Sequence, residues 1–280
     1  MNSLAWKSVG DADAGNLAEA RRQAHNAAQW LVRVAHSFMP TSSDNCHTLL
    51  RWDSERAALV TQQFLPNLTL ELRLPGLAMQ FREGGRPAPH IFEFDDRTPA
   101  EAEAWVLVEL LHRQLDRDRF SKALPYEFPD LMTGDAVPYV VEAHELALEE
   151  LASWFSNSAM VLRCIAEEHL GAKHAASDVA CWPETFHLGV LLPLDGARSP
   201  SRQMLQVGSS PGSARQPAPF FYVSSYNNEA TIPTTPAVSL TAAELGASAD
   251  PMKRALDWLR AEIAKQWGLQ VADAAGIIAP

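Results

Sequence analysis

Cysteine is scarce: Cys46, Cys164 and Cys181 stand singly in 280 residues, and no C-x-x-C occurs. A sparse, odd count fits a reducing cytosol better than a disulfide framework. Long hydrophobic runs are missing too. No stretch reaches the ~18 apolar residues of a spanning helix. The opening Met1–Lys7 lacks a charged head followed by an apolar run, so no secretory signal is expected. Basic charge is short, with 23 Lys and Arg against 34 Asp and Glu and a net charge of −11. No long basic run compensates, which argues against binding to nucleic acid or an anionic membrane. The chain has no G-x-x-x-x-G-K-[ST] loop, no G-x-G-x-x-G after a strand and no H-E-x-x-H. These gaps exclude the commonest nucleotide-binding and zinc-protease designs.

What is present reads as a soluble body with an ample core, since 47% of residues are hydrophobic. The pattern recurs. A helical run with Leu31-Val32-Arg33-Val34 leads to a polar loop, strands and a proline-started helix around Trp105. A second run with Val161-Leu162-Arg163-Cys164 leads to the same succession around Trp258. The spacing of the counterparts widens from Arg33/Arg163 through His47/His187 to Trp105/Trp258, as loop insertions into a duplicated unit would produce. The expectation is an α+β fold: a duplicated helix–antiparallel sheet–helix unit forming one pseudo-symmetric body. Residues 1–123 form the first half, 124–138 a proline-rich linker, and 139–280 the second half.

Apolar residues at three- and four-residue steps predict a helix over Ala14–Phe38, with Arg21, Arg22, Gln23 and Asn26 on its other face. Strands are predicted at Cys46–Trp52, Ala57–Phe64, Leu68–Leu74, Leu77–Arg82 and His90–Phe94, joined by tight turns as a meander. Thr98-Pro99-Ala100-Glu101 starts a helix to about Leu115. The second half offers a helix over Val141–Leu170, strands at Thr185–Leu192, Met204–Gly208 and Phe220–Ser225, and a last helix from Pro251 to Trp267. The Gly-, Ser- and Pro-rich Asp195–Pro219 is expected to contain the most mobile segment.

Several residues carry chemistry. His47 and His187 are equivalent in the repeat, each early in the first strand of its half. They suit a shared cleft or, alternatively, plain strand packing. Glu167, Glu168, His169 and His174 are the densest group of metal-ligand types, but their spacing across a helix end fixes no geometry. The expectation is no metal site and no cofactor. Asp95-Asp96 reads as a strand end and helix entry, and Cys46 and Cys181 as inert thiols. The aromatic set Trp182, Phe186, Phe220, Phe221, Tyr222 and Tyr226 is either core or pocket wall. Strand parity groups Tyr222 with Tyr226 and separates His187 from Phe186. The predicted ligand site is therefore Trp182, His187, Tyr222 and Tyr226, with His187 and Glu184 as acid–base candidates.

Trp182-Pro183-Glu184-Thr185-Phe186-His187-Leu188-Gly189-Val190 resembles the Trp-x-x-x-Phe-Asp-Leu-Ala-Val strand of an uncharacterised bacterial domain-of-unknown-function family. Gly208–Gly212 followed by Pro219-Phe220-Phe221-Tyr222 and Tyr226 is similar to that family's Pro-Gly loop and Phe-Tyr strand. Asn45-Cys46-His47 sits where the family opens Asn-His-Trp-Trp-His. The order of elements agrees over about residues 14–230. Here His187 stands in place of the family's Asp, and the paired tryptophans are absent. The resemblance implies a fold and no activity.

Three functions follow as expectations. The leading one is a cytoplasmic binding protein for a small organic ligand in a helix–sheet cleft. The others are an enzyme using His187 and Glu184, and an interaction module that homodimerises through apolar helix faces.

Overall fold

The first helix is set by alanine. In the computed structural model, which describes residues 5–169, 176–193, 204–226 and 238–276, α1 runs over Ala14–Phe38. Asp13 caps it, its carboxylate accepting from the backbone N–H groups of Gly15 and Asn16 at 2.9 and 3.1 Å. Leu17, Ala20, Ala24, Ala27, Leu31 and Phe38 are buried, and the small alanines let α1 lie close on β2 and β3.

The chain divides into two compact units, Asp11–Ser156 with Cys181–Phe186, and Met1–Gly10 with Asn157–Ala180 and His187–Pro280. The first is the six-strand unit. Its strands are β1 (Leu50–Asp53), β2 (Ala58–Thr61), β3 (Leu68–Arg73), β4 (Ala78–Glu83), β5 (Arg86–Glu93) and β6 (Ala180–Trp182). They lie in the order β6-β1-β2-β3-β4-β5, and every neighbouring pair is antiparallel. Helix α2 (Pro99–His112) follows β5 and opens on a full Thr98/Glu101 capping box. Helix α3 (Glu145–Glu168) carries the chain from the six-strand unit into the other.

Three local expectations are corrected. Cys46–Trp52 is not one strand: Cys46–Thr48 is a 3-10 turn, and β1 begins only at Leu50. Asn45 adopts the left-handed conformation, φ 55°, which asparagine tolerates, and the turned chain is tied by Thr48 Oγ1 to the Asn45 carbonyl at 2.8 Å. His47 thus lies off the sheet. β5 starts at Arg86, earlier than His90, because Pro87 and Pro89 are accommodated on a strand at the end of the sheet order. Finally, the polar residues assigned to the other face of α1 divide: Arg21 and Arg22 are partly exposed, while Gln23 and Asn26 are buried.

Gln23, Asn26, Gln29 and Arg33 are all buried and hold residues 122–140, which form no helix or strand. Asn26 Oδ1 accepts from Met132 N–H at 2.7 Å and its amide donates to Asp130 O at 3.2 Å. Gln23 Oε1 accepts from Val140 N–H at 2.7 Å, Gln29 Oε1 from the Tyr126 hydroxyl at 2.7 Å, and Arg33 Nε donates to Lys122 O at 3.1 Å. The segment itself is mostly exposed, with Met132 and Tyr139 buried; where its backbone packs on α1, the buried side chains of the helix supply hydrogen-bond partners at helical spacing.

The four-strand unit contains β7 (His187–Pro193), β8 (Met204–Ser210), β9 (Phe220–Tyr226) and β10 (Ser239–Thr241), in the order β10-β9-β8-β7 and antiparallel throughout. A Thr241/Glu244 capping box starts α4 (Ala242–Gly246). Helix α5 (Pro251–Gly276) then lays Ala255, Leu259 and Ile263 against β8 and β9. Within this unit the buried Ser158 of α3 meets Ser209 of β8, with hydroxyl oxygens 2.6 Å apart.

The architecture is α+β. The element order is α1, β1–β5, α2, then α3, β6–β10, α4 and α5. The proposed counterparts differ in setting: Arg33 is buried and Arg163 exposed, and His47 sits in a 3-10 turn while His187 opens a strand. Among the described residues no helix is long and apolar enough to cross a membrane. Residues 195–203 of the segment expected to be mobile lie outside the described residues.

Candidate functional site

The register of the four-strand sheet brings several polar side chains onto one face. Gln206 stands opposite Leu191 and Ser224, and Gly208 opposite Gly189 and Tyr222. His187 and Ser210 continue the same face, because residues two apart project alike. Leu205, Val207, Phe221 and Val223 take the other face and are buried apolar residues. β8 therefore presents Gln206, Gly208 and Ser210 to one side and Leu205, Val207 and Ser209 to the other.

Gly208 gives that face its shape. A Cβ at this position would lie 2.3 Å from Tyr222 Cζ and 2.5 Å from its hydroxyl oxygen. The Tyr222 ring lies flat across the bare backbone, so its hydroxyl extends over β8 toward β7. There it shares a 3.1 Å hydrogen bond with His187 Nδ1, and the two rings are tilted at 58° with centroids 5.5 Å apart. Phe220 adds an edge contact to His187. His187 is 4% exposed and Tyr222 fully buried.

One row further along, Gln206 is fully buried, and neither its amide nitrogen nor its amide oxygen has a hydrogen-bond partner. The hydroxyl of its cross-strand neighbour Ser224 is likewise buried and unpartnered. An unmatched amide in the interior costs free energy on the order of 1–3 kcal/mol, so its retention calls for an explanation.

His187 and Tyr222 of the predicted set are thus brought into direct contact. The backbone of Tyr226 pairs with Met204, and its side chain lies outside the described residues. Trp182 and Glu184 belong to the six-strand unit. Trp182 is half-buried; Glu184 is exposed as a residue, although protein packed beside its carboxyl raises the pKa above the ordinary value. Phe186, one residue before His187, has φ 61° and is buried against His25 and Phe155 in the six-strand unit.

The other marked residues have structural partners. His47 Nε2 lies 2.9 Å from His36 Nδ1. Asp95 accepts from the N–H groups of Val141 and Glu142 at 2.7 and 2.9 Å, capping the turn that leads into α3. Glu168 pairs with Arg260 at 2.6 Å, and His169 Nδ1 bonds the Ile165 carbonyl at 2.7 Å. His174 lies outside the described residues. The three thiols are free; burial, with the Asp44 carboxylate beside it, pushes Cys46 up to about 12, and burial raises Cys181 as well.

No family model, curated protein or solved structure matches this chain. The residues that sequence reasoning missed are Gln206, Gly208 and Ser224. Their signal was the alternation Gln206-x-Gly208-x-Ser210 within a strand whose intervening positions are apolar or small.

Proposed function

We propose that this chain is a cytoplasmic binding protein for a small organic ligand, held on the polar face of the four-strand sheet by Gln206, Ser224, His187 and Tyr222. The observation that carries the reading is the buried, unpartnered amide of Gln206. It offers one acceptor and two donors, so the matching ligand presents a donor and an acceptor side by side, as a carboxamide or lactam does. The Tyr222 ring supplies an apolar surface with a polar tip, and a few convergent polar groups among apolar walls are the usual composition of a small-molecule site. The face is covered, so entry requires local opening. The resemblance to a bacterial family of unknown function belongs to the same proposal. Its motifs fall on the β6–β7 passage and on the β8–β9 hairpin that carries Gln206, Gly208 and Tyr222.

Native mass spectrometry of protein purified without added ligand tests this. The wild type is expected to retain a small organic molecule that Gln206→Leu and His187→Ala lose. If the wild type retains nothing and Gln206→Leu is the more stable protein, the amide is an unmatched core group and the reading fails.

A further inference from the structure

The six-strand unit holds a second cluster. Helix α2 lies along β5 with one side toward the strand: Trp105 meets Phe92, with ring centroids 5.8 Å apart, and one turn later Glu109 meets His90. His112, three residues beyond Glu109, comes onto the same side. The outcome is two imidazoles on one carboxylate oxygen. His90 Nδ1 is 2.8 Å and His112 Nδ1 3.0 Å from Glu109 Oε1, and one ligand atom from each residue lies within 4.8 Å of the others.

The cluster is graded from inside to outside. The Glu109 side chain is 2% exposed, whereas those of His90 and His112 are 56% and 49% exposed. Arg113 locks the far oxygen, its guanidinium 2.7 Å from Glu109 Oε2 and packed over the Phe81 ring at 4.2 Å. Oε2 is thereby engaged, and Oε1 is left to the imidazoles. The same guanidinium lies 3.0 Å from Glu83. Two carboxylates thus stand against one guanidinium, and with neutral imidazoles the set keeps one net negative charge.

We propose that His90, Glu109 and His112 form a binding site for a divalent transition-metal ion of the zinc, cobalt and nickel class. Two imidazole nitrogens and one carboxylate oxygen are the ligand types these ions take. Imidazole and carboxylate ligand atoms 2.8 and 3.0 Å apart suit neighbouring positions around an ion with bonds of about 2.0–2.2 Å. Arg113 plays the outer partner that orients a ligating carboxylate. Three protein ligands on a surface rim leave further coordination positions open to water or a small anion. In the competing account, both imidazole N–H groups donate to one carboxylate oxygen and no ion is involved.

The test is calorimetric titration of ZnCl2 into full-length protein freed of metal with a chelator. It compares the wild type with His90→Ala, His112→Ala and the double variant, with circular dichroism to verify the fold. Because both histidines are half-exposed, their loss leaves the core in place. The expected result is one zinc per chain, weakened by about tenfold or more in each single variant and abolished in the double. Co2+ should give a visible absorption band that the double variant lacks. No zinc heat in the wild type, or equal zinc binding by the wild type and the double variant, overturns the site.

Discussion

His187–Tyr222 and His112–Glu109 are hydrogen bonds of nearly the same length, 3.1 and 3.0 Å, in opposite surroundings. The first lies inside the four-strand unit, where both partners are below 5% exposed. The second joins a buried carboxylate to an imidazole on the rim. An interior pair cannot exchange its partner for water, whereas a rim imidazole can. The same type of contact therefore fixes core geometry in one unit and leaves a reactive, solvent-facing group in the other.

The strongest way to break this contrast is at Gly208. Gly208→Ala places a methyl where Tyr222 lies, and forcing the ring aside should cost about 3 kcal/mol or prevent folding. The penalty should shrink sharply in a Tyr222→Ala background, read as a double-mutant cycle of denaturant midpoints. An equal cost in both backgrounds would mean the ring does not occupy that space.

Glu109→Gln should come next, at about 2 kcal/mol, because Arg113, 10% exposed, loses the buried one of its two carboxylates and keeps only the exposed Glu83. Burial alone would raise the Glu109 pKa, but hydrogen bonds from Arg113, His90 and His112 outweigh it and hold the group below its ordinary 4.5. A lowered native pKa contributes stability that is full above pH 4.5 and lost as pH falls through the native value. The variant should accordingly show a flatter acid limb than the wild type in urea titrations below that pH.

The smallest pair of effects sharpens the comparison most directly. Tyr222→Phe deletes the hydroxyl from a buried bond and should cost about 1 kcal/mol. His112→Ala, measured without metal, should stay within about 0.5 kcal/mol. Equal values would show that burial does not distinguish the two contacts.

Periodicity and caps were legible because their causes are local. α1 spans the expected Ala14–Phe38, and the Thr98-Pro99 start of α2 is where the capping residues placed it. Tertiary causes were not legible. Polar residues on α1 look like a wet face, and only the packed 122–140 segment reveals them as its partners. Proline inside β5 reads as a strand break until the strand is known to be an edge. The metal-ligand cluster was hidden for the same kind of reason: Glu109-x-x-His112 is a visible helical pair, but His90 joins it only once α2 is known to pack along β5. Within the ligand-site candidates, parity separated His187 from Phe186, but the meeting of His187 with Tyr222 depends on β8 lying between their strands, with Gly208 leaving room for the ring. Gln206 escaped notice, since an amide in a strand says nothing of its burial until the register is fixed.

Pro87 and Pro89 in β5 have a consequence for self-association. β5 ends its sheet order, and an end strand normally offers a row of backbone donors on which a second chain can grow. Two prolines delete two of the eight N–H groups of Arg86–Glu93, so an incoming strand would meet gaps in its ladder and steric bulk where it needs donors. The border that carries His90 is thereby protected from edge-to-edge polymerisation while its imidazole stays in water.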